Sequence, residues 1–308
     1  MSELIEKQLF IIGAEKCGTT SLYRYLDNHN EIQLSIPKEP IFFEAEYNKG
    51  IKYYLETYYD ATNLKNKILV DARHRNLFLP YVPSRIRKTV KNPKFIVLLR
   101  EPVERAISHW TSRYISKQEH LEFKDAIEED LLRIEAGLNF GENNSDIIWK
   151  NDLKSTDSKK GGFYNIFFRT YVDTGFYYEQ LKRYYDIFGK ENIKVYFSKE
   201  LEQKPKEVMK DIFEFLKIED KSDHINYQKY NKSADKQLIK KKSKSFNYLY
   251  KLIKKIIPND IIINSKRILY KIKFNNNKLD KATIDNLRLI YQKENEKLNI
   301  LIDREIIW

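Results

Sequence analysis

The sequence predicts an α/β fold in which helices cover both faces of a central parallel sheet. Short apolar runs alternate with helical patterns along the chain, and this alternation is typical of parallel sheets. The run FIVLL at 95–99 is apolar throughout, as expected for a central strand that is covered on both sides. With 308 residues the chain is long enough for one large domain, and we expect a single domain over 1–308.

Four strands and four helices are predicted in chain order. The strands are expected at 9–12, 68–70, 95–99 and 193–197. The helices are expected from 18 to about 29, from 102 to about 116, from 123 to about 135 and from 175 to about 188.

Beyond residue 235 the chain becomes basic and mostly helical within the same domain. Residues 229–273 carry 14 lysines and arginines against two aspartates, a composition that attracts polyanions. Apolar residues at helical spacing predict amphipathic helices over 246–257 and 278–299, with 306–308 packed on the body. The first of these helices either packs against the domain or lies on an anionic membrane surface.

Overall composition indicates a globular protein of a reducing compartment. The mean hydropathy is −0.64, and no apolar run approaches the length of a membrane span. The first residues show no signal-peptide pattern, and a single cysteine excludes an internal disulfide. We expect a cytoplasmic location, with the inner face of the membrane as a second one.

The most informative segment, residues 8–22, reads QLFIIGAEKCGTTSL. An apolar strand leads to Gly13, and Gly18 then precedes a hydroxyl-rich helix start made of Thr19, Thr20 and Ser21. Backbone amides at a helix start, together with the helix dipole, favour a bound anion such as phosphate. A Walker loop would require a lysine directly after the second glycine. Here Thr19 stands at that position and the lysine is Lys16, so ordinary nucleotide-kinase chemistry is disfavoured.

A second informative segment, KNPKFIVLLREPVERAISHWTSRY, follows the predicted central strand. Arg100 ends the strand, and Pro102 occupies the first helical turn, where its missing amide costs nothing. Open α/β sheets bind ligands at the carboxyl ends of their strands. Ser108 lies about two turns into the helix. The planar guanidinium of Arg100 suits phosphate, because it offers two donors side by side.

Together these two segments resemble the sulfotransferases that use 3'-phosphoadenosine 5'-phosphosulfate (PAPS), in their bacterial and carbohydrate-modifying branches. The matching motifs are K-x-G-T-T-x-L in the loop and LRxPxxRAxSHxxxxY after the central strand. Residues 171–218 and 285–308 are also similar to later family segments, so the resemblance covers nearly the whole chain. It implies a P-loop-like sulfotransferase fold, PAPS as cofactor with no metal required, and a carbohydrate or glycolipid hydroxyl as acceptor.

The resemblance also implies roles for particular residues. Arg100 and Ser108 would hold the 3'-phosphate, and Lys16 would meet the charge that grows on the leaving oxygen. The 5' end of the cofactor would lie on Lys16, Cys17, Gly18, Thr19, Thr20 and Ser21. Related enzymes close over the nucleotide with a later loop, for which Tyr230, Asn231, Lys232 and Ser233 are candidates, although the usual glycine and aromatic residue are missing there.

The carbohydrate sulfotransferases carry a glutamate just ahead of an aromatic pair, and SIPKEPIFFE places Glu39 there as the implied base. Partial burial is expected to raise its pKa and improve it as a base. His74 and His109 are reserve bases. In VDARHRNLF the chain departs from the family pattern. Residues expected near the acceptor are Arg73, His74, Arg75, Phe42 and Tyr177.

Two other functions stay open from the sequence. In a P-loop kinase, Asp71 after the strand KILV would hold magnesium, although the Walker lysine is missing. A basic nucleic-acid-binding protein would use the lysines of 229–273 and would bind in a strongly salt-dependent way. Of these functions we expect sulfuryl transfer, and we expect no nucleic-acid partner.

Overall fold

Among the residues that the structure describes, five strands form a sheet whose neighbouring strands are all parallel. In chain order they are β1 (Ile5–Gly13), β2 (Ile32–Leu34), β3 (Ile68–Ala72), β4 (Val90–Leu99) and β5 (Ile193–Phe197), and their order across the sheet is β2-β3-β1-β4-β5. The computed structural model describes residues 4–27, 29–60, 62, 64, 66–116, 118–137, 169–228 and 279–308.

Ten α-helices lie in the described part of the chain. They are α1 (Thr19–Tyr25), α2 (Gly50–Tyr58), α3 (Arg75–Phe78), α4 (Val82–Thr89), α5 (Pro102–Ile115), α6 (Phe123–Glu135), α7 (Tyr177–Phe188), α8 (Ser198–Gln203), α9 (Pro205–Leu216) and α10 (Lys281–Ile302). A π-helical turn covers Phe42–Glu46, and 3-10 turns cover Tyr47–Lys49, Asp173–Gly175, Lys190–Asn192 and Ser222–His224. None of the described helices is both long and apolar enough to span a membrane.

The predicted parallel sheet with flanking helices is confirmed, and all four predicted strands are present. The sequence pattern missed β2, because three residues are too few to show a period. It also extended α1 past its end at Tyr25. The predicted C-terminal helix is observed as α10, whose start is capped by the Asp280 side chain accepting from the Thr283 amide. The predicted helix at 246–257 lies outside the described residues, and the single-domain boundary stays a prediction.

The core is built on the two central strands. Residues 9–12 of β1 and 95–99 of β4 have no exposed surface, as predicted for strands covered on both faces. Phe10 stacks on Phe95 across the strand pair and meets Phe43 edge to face. On the α7 side, Phe95 contacts Tyr184 and Phe188. Aromatic burial of this kind fixes the sheet between its two helical layers.

The strand order creates a crevice at the carboxyl ends of β1 and β4. The connection after β1 leads to β2 on one side of the sheet, whereas the connection after β4 leads to β5 on the other. Where connections diverge in this way, the loops leave open the space in which open α/β sheets bind ligands. The amide of Ala14 donates to the carbonyl of Leu98 across the same gap, at 2.6 Å. The two motifs predicted from the sequence are therefore neighbours in the fold.

The C-terminal residues pack back on the body of the protein. The Tyr291 hydroxyl in α10 donates to the carbonyl of Val172 at 2.7 Å. A side chain at Gly175 would come within 2.8 Å of the Tyr291 ring, so only glycine fits there. The terminal Trp308 meets Phe197 edge to face and lies beside Tyr177. This confirms the predicted packing of the C-terminal end for Trp308.

A buried polar network crosses the sheet under α2 and centres on Asp71. The Tyr54 hydroxyl donates to Asp71 Oδ2 at 2.8 Å, and Asn76 Nδ2 donates to Oδ1 at 3.4 Å. The Tyr54 and Tyr59 hydroxyls both accept from Gln8 Nε2. Asp71 has no exposed surface and is committed to these partners, so the magnesium role that the kinase alternative gave it is wrong.

Burial raises the pKa of Asp71 to about 7, although the Tyr54 hydrogen bond and the Arg73 charge oppose the shift. The unfolded value is about 3.9, so the folded protein loses stability from this group as pH rises from about 4 to about 7. Asp71→Asn cannot ionise and keeps an acceptor for Tyr54. The free energy of unfolding of this variant, taken relative to wild type, should rise by on the order of 2 kcal/mol when the pH is raised from 4.5 to 8.

Urea denaturation at the two pH values measures this difference. Asp27→Asn, exposed in the turn after α1, is the matched control and should stay within about 0.5 kcal/mol of wild type at both. A relative loss of stability in Asp71→Asn on raising the pH would contradict the assignment.

Candidate active site at the carboxyl edge of the sheet

The loop between β1 and α1 forms one wall of the crevice. Its backbone turns through Gly18, which has φ 100° and precedes α1 with no side-chain hydrogen bond capping the helix. Thr19 and Ser21 are buried at that helix start. Gly13 is required at the end of β1, because a Cβ there would lie 2.9 Å from the Leu77 side chain. The loop thus presents backbone at the helix start, as the sequence predicted for an anion site.

Two residues of this loop point to different roles. Lys16 has φ 67°, a left-handed conformation that is unusual for a side chain other than glycine. Cys17 is buried, and burial raises the pKa of its thiol to about 11 even though Arg105 and Arg100 oppose the shift. The thiol is therefore protonated near neutral pH and packs as a small side chain.

Arg100 leaves the end of β4 on the opposite wall. Its Nε and Nη2 atoms donate to Glu104 Oε2 at 3.0 and 2.8 Å, and its backbone carbonyl accepts from the Tyr177 hydroxyl at 3.0 Å. Glu101 caps α5 by accepting from the amides of Val103 and Glu104. Ser108 lies half-buried two turns into α5. Arg100 is about one-third exposed, so it can meet a ligand at the crevice.

Glu39 stands between two prolines after β2 and has φ 68°. Its carboxylate contacts Lys38 Nζ at 2.8 Å, Arg73 Nη1 at 3.5 Å and His74 Nδ1 at 3.5 Å. The expectation that burial raises the pKa of Glu39 is wrong. Burial does act in that direction, but the contacts with His74 and Lys38 outweigh it and hold the pKa of Glu39 far below its usual range.

A second glutamate, Glu44 in the π-helical turn, anchors the arginines of the β3 loop. It is fully buried, with Oε2 2.6 Å from Arg73 Nε and Oε1 3.1 Å from Arg75 Nη1. Arg73 bridges Glu44 and Glu39. Arg73 and Arg75 were predicted to face the acceptor, and the structure instead commits both to Glu44.

A third glutamate, Glu15, joins the phosphate loop to the two predicted reserve bases. Its carboxylate lies 3.6 Å from His74 Nε2 and 3.4 Å from His109 Nε2. Burial alone would raise the pKa of Glu15, but the two histidines and Arg113 hold it well below its usual range. Burial lowers the pKa of His109 well below its ordinary value, although the charge of Glu15 opposes the shift.

Sequence reasoning missed Glu15 and Glu44. Glu15 lies directly before the K-x-G-T-T-x-L motif, and Glu44 follows the aromatic pair used to find Glu39. Their partners lie between 29 and 94 residues away in the chain. No local pattern reports a contact over that distance.

Phe42 and Tyr177 were predicted to contact the acceptor, and the structure buries both rings. Each has about 1% of its surface exposed. Phe42 stacks on Tyr54 inside the core, and Tyr177 lies behind Arg100 against Trp308. Neither ring face is available for stacking on a sugar, so these two residues support the crevice from behind.

Several predicted features fall on residues that the structure does not describe. Tyr230, Asn231, Lys232 and Ser233 lie outside the described residues, as does the whole of the basic segment 229–273. Within the described ranges, no group of three or more His, Cys, Asp or Glu side chains could hold a metal ion.

Comparison with known proteins assigns the family. The family model described as the sulfotransferase domain matches residues 6–298. The chain belongs to the sulfotransferase domain family. This confirms the resemblance that the loop and central-strand motifs indicated, and it agrees with the parallel sheet and the position of both motifs at one edge.

Individual sulfotransferases are similar over parts of the chain. A 127-residue stretch is 35% identical to membrane-associated sulfotransferase kil1 of Dictyostelium discoideum and covers 39% of this chain and 27% of that protein. A 104-residue stretch is 35% identical to heparan sulfate glucosamine 3-O-sulfotransferase 3B1 of Mus musculus, covering 34% of this chain and 26% of that protein. The matches therefore span about a quarter of the length of these relatives.

A solved structure supports the fold over the full length. The crystal structure of a sulfotransferase from Alicyclobacillus acidocaldarius is similar with a TM-score of 0.64 and 20% sequence identity, and the match covers 98% of each chain. The sulfotransferase fold predicted from the sequence is therefore confirmed.

The buried contacts of Glu44 predict a large loss of stability in Glu44→Gln. The substitution leaves the Arg73 and Arg75 guanidinium groups without their shared carboxylate. Breaking a buried ion pair from one side costs about 3–5 kcal/mol, and we expect a loss of that order in chemical denaturation. Glu56→Gln, on the exposed side of α2, should change stability by about 0.5 kcal/mol or less. Equal stability of the two variants would contradict the anchoring role.

Proposed function

We propose that the protein transfers a sulfuryl group from PAPS to a hydroxyl of a carbohydrate or glycolipid. The proposal is supported by the positions of three motif residues. Lys16 follows β1 and Arg100 follows β4, and these two strands are neighbours. Glu39 is linked to the loop after β1 through His74 and Glu15. The heparan sulfate relatives support a glycan as the acceptor class. The +12 net charge of the chain favours an acidic one.

The residues of the crevice suit the two phosphate ends of PAPS. The α1 start carries no side-chain cap, so its amides are suited to the 5' end. Glu104 holds one edge of the Arg100 guanidinium through Nε and Nη2. No acceptor for Nη1 lies among the described residues, so that edge can meet the 3'-phosphate with Ser108. The fixed guanidinium gives directional recognition of a phosphate group.

Transfer requires a base for the acceptor hydroxyl and a cation at the leaving oxygen. The bound nucleotide supplies the sulfuryl group for in-line displacement by the acceptor oxygen. Glu39 is ionised and accepts the hydroxyl proton, while the Lys16 ammonium stabilises the charge that develops on the leaving side. Both residues have left-handed backbone conformations, and uncommon conformations of this kind concentrate at functional sites.

Nucleotide binding tests the cofactor assignment. Adenosine 3',5'-bisphosphate should bind in titration calorimetry with EDTA present, and more tightly than AMP, because only the former carries a 3'-phosphate for Arg100. Arg100→Ala should lower its affinity on the order of 100-fold, the value of one or two charge-assisted hydrogen bonds. Arg288→Ala, on the exposed face of α10, is the control and should bind as wild type. Equal affinity for AMP would refute the 3'-phosphate site.

A transfer assay tests the base. Labelled sulfate should pass from PAPS to heparan sulfate or to another member of a glycosaminoglycan and glycolipid panel. Glu39→Gln should keep nucleotide affinity and lose about 10²- to 10⁴-fold in kcat, the contribution of a general base. Glu56→Gln serves as the control glutamate. Unchanged turnover in Glu39→Gln would remove Glu39 as the base, and absence of transfer to every panel member would count against the acceptor class.

A further inference from the structure

We propose that His74, oriented by Glu15, takes the acceptor's proton on from Glu39, so that the site carries its proton through a Glu39–His74–Glu15 path. The inference rests on the proposed sulfuryl transfer and adds two residues to it. Glu15 touches neither the acceptor nor the reacting atoms in this scheme and is a positioning residue.

The geometry that supports this path is the position of the His74 ring between two carboxylates. Nδ1 lies 3.5 Å from Glu39 Oε2, and Nε2 lies 3.6 Å from Glu15 Oε2. Each nitrogen therefore faces one glutamate from a different loop. Catalytic contacts are commonly this long before ligands bind and shorten in the reacting complex. A ring whose Nε2–H points at Glu15 directs the Nδ1 lone pair at Glu39.

The charges around the ring explain why a second proton acceptor is needed. Lys38 and Arg73 contact the Glu39 carboxylate, and a carboxylate whose ionised form is stabilised by neighbouring cations retains a proton poorly. A proton that reaches Glu39 therefore moves on readily to a more basic neighbour. Among the basic side chains that contact Glu39, the His74 imidazole is the one whose ring nitrogen can accept a proton.

Glu15 supplies a fixed negative charge on the far side of the ring. Arg113 and Arg75 help to keep it ionised. Glu15 is thus the anion that stabilises an imidazolium at His74 without taking the proton from it. The same arrangement, a buried carboxylate behind an imidazole, orients catalytic histidines in other enzymes.

The acceptor oxygen forms its bond to sulfur while the bond from sulfur to the 5'-phosphate oxygen breaks and leaves its electron pair on that oxygen. The acceptor O–H bond breaks, and its proton passes to Glu39 and then to His74 Nδ1, which leaves Glu39 ionised and His74 as imidazolium. A small cavity lies on the Glu15 side, where His74, Glu15, Thr170, Thr174 and Gln180 border it together with apolar side chains. Water there can return the proton to solvent.

Chemical rescue tests the relay. His74→Ala should lose on the order of 100-fold in kcat with heparan sulfate, or with the panel member that wild type sulfates fastest. Its affinity for adenosine 3',5'-bisphosphate should stay within about threefold of wild type, since the loss concerns proton transfer and not binding. Added imidazole should restore turnover, and across a series of substituted imidazoles the rescue should rise with their basicity.

Matched variants separate the relay from a structural role. Glu15→Gln should lose about tenfold in kcat and shift the pH–rate profile, because a neutral amide no longer stabilises the imidazolium. His120→Ala, exposed between α5 and α6, should match wild type with and without imidazole. If His74→Ala fails to fold, His74→Gln replaces it and should show the same loss in kcat with unchanged nucleotide affinity.

The outcomes distinguish the relay from the underlying function. Wild-type transfer that Glu39→Gln abolishes and His74→Ala leaves intact would overturn the relay and keep the sulfotransferase proposal. No rescue, or rescue that ignores the basicity of the imidazole, would also overturn the relay. Absence of transfer by wild type to any acceptor would instead count against the proposed function.

Discussion

The buried carboxylate of Glu44 is the contact on which the geometry of the crevice depends. It holds Arg73 and Arg75 at the end of β3, and Arg73 in turn reaches Glu39. The turn that carries Glu44 also carries Phe42 and Phe43, which are packed into the core. One buried anion therefore ties the aromatic core to the loop that presents the proposed base. Buried charges are tolerated when they are paired in this way.

The second constraint is the order of the strands. Because β1 and β4 are neighbours whose connections diverge, residues far apart in the chain meet at one edge. The loop after β1 supplies Lys16 and Glu15, and the strand before α5 supplies Arg100. The side chains behind them are large and buried. Tyr177 supports the backbone of Arg100, and Trp308 supports Tyr177, so the C-terminal end of the chain contributes to the rigidity of the crevice.

The sequence was sufficient for features that a short segment encodes. Glycine placement, hydroxyl residues at a helix start and an arginine at the end of an apolar strand identify the loop, Arg100 and the fold class. It was insufficient where contacts between residues far apart in the chain determine a pKa or the position of a side chain. The pKa of Glu39 follows from His74 and Lys38 and not from the prolines and aromatics around it in the chain. Glu15 and Glu44 carry no pattern of their own, and β2 is too short to be recognised.

The left-handed backbone at Lys16 and Glu39 has an evolutionary consequence. Residues other than glycine in this conformation cost on the order of 1–2 kcal/mol each, so glycine at either position would relieve the backbone while deleting the proposed chemistry. Selection for thermal stability alone would therefore favour replacing the two residues that the reaction uses. Directed evolution of a more thermostable variant would have to screen turnover at every round, because selection for stability and selection for activity favour opposite changes at these two positions.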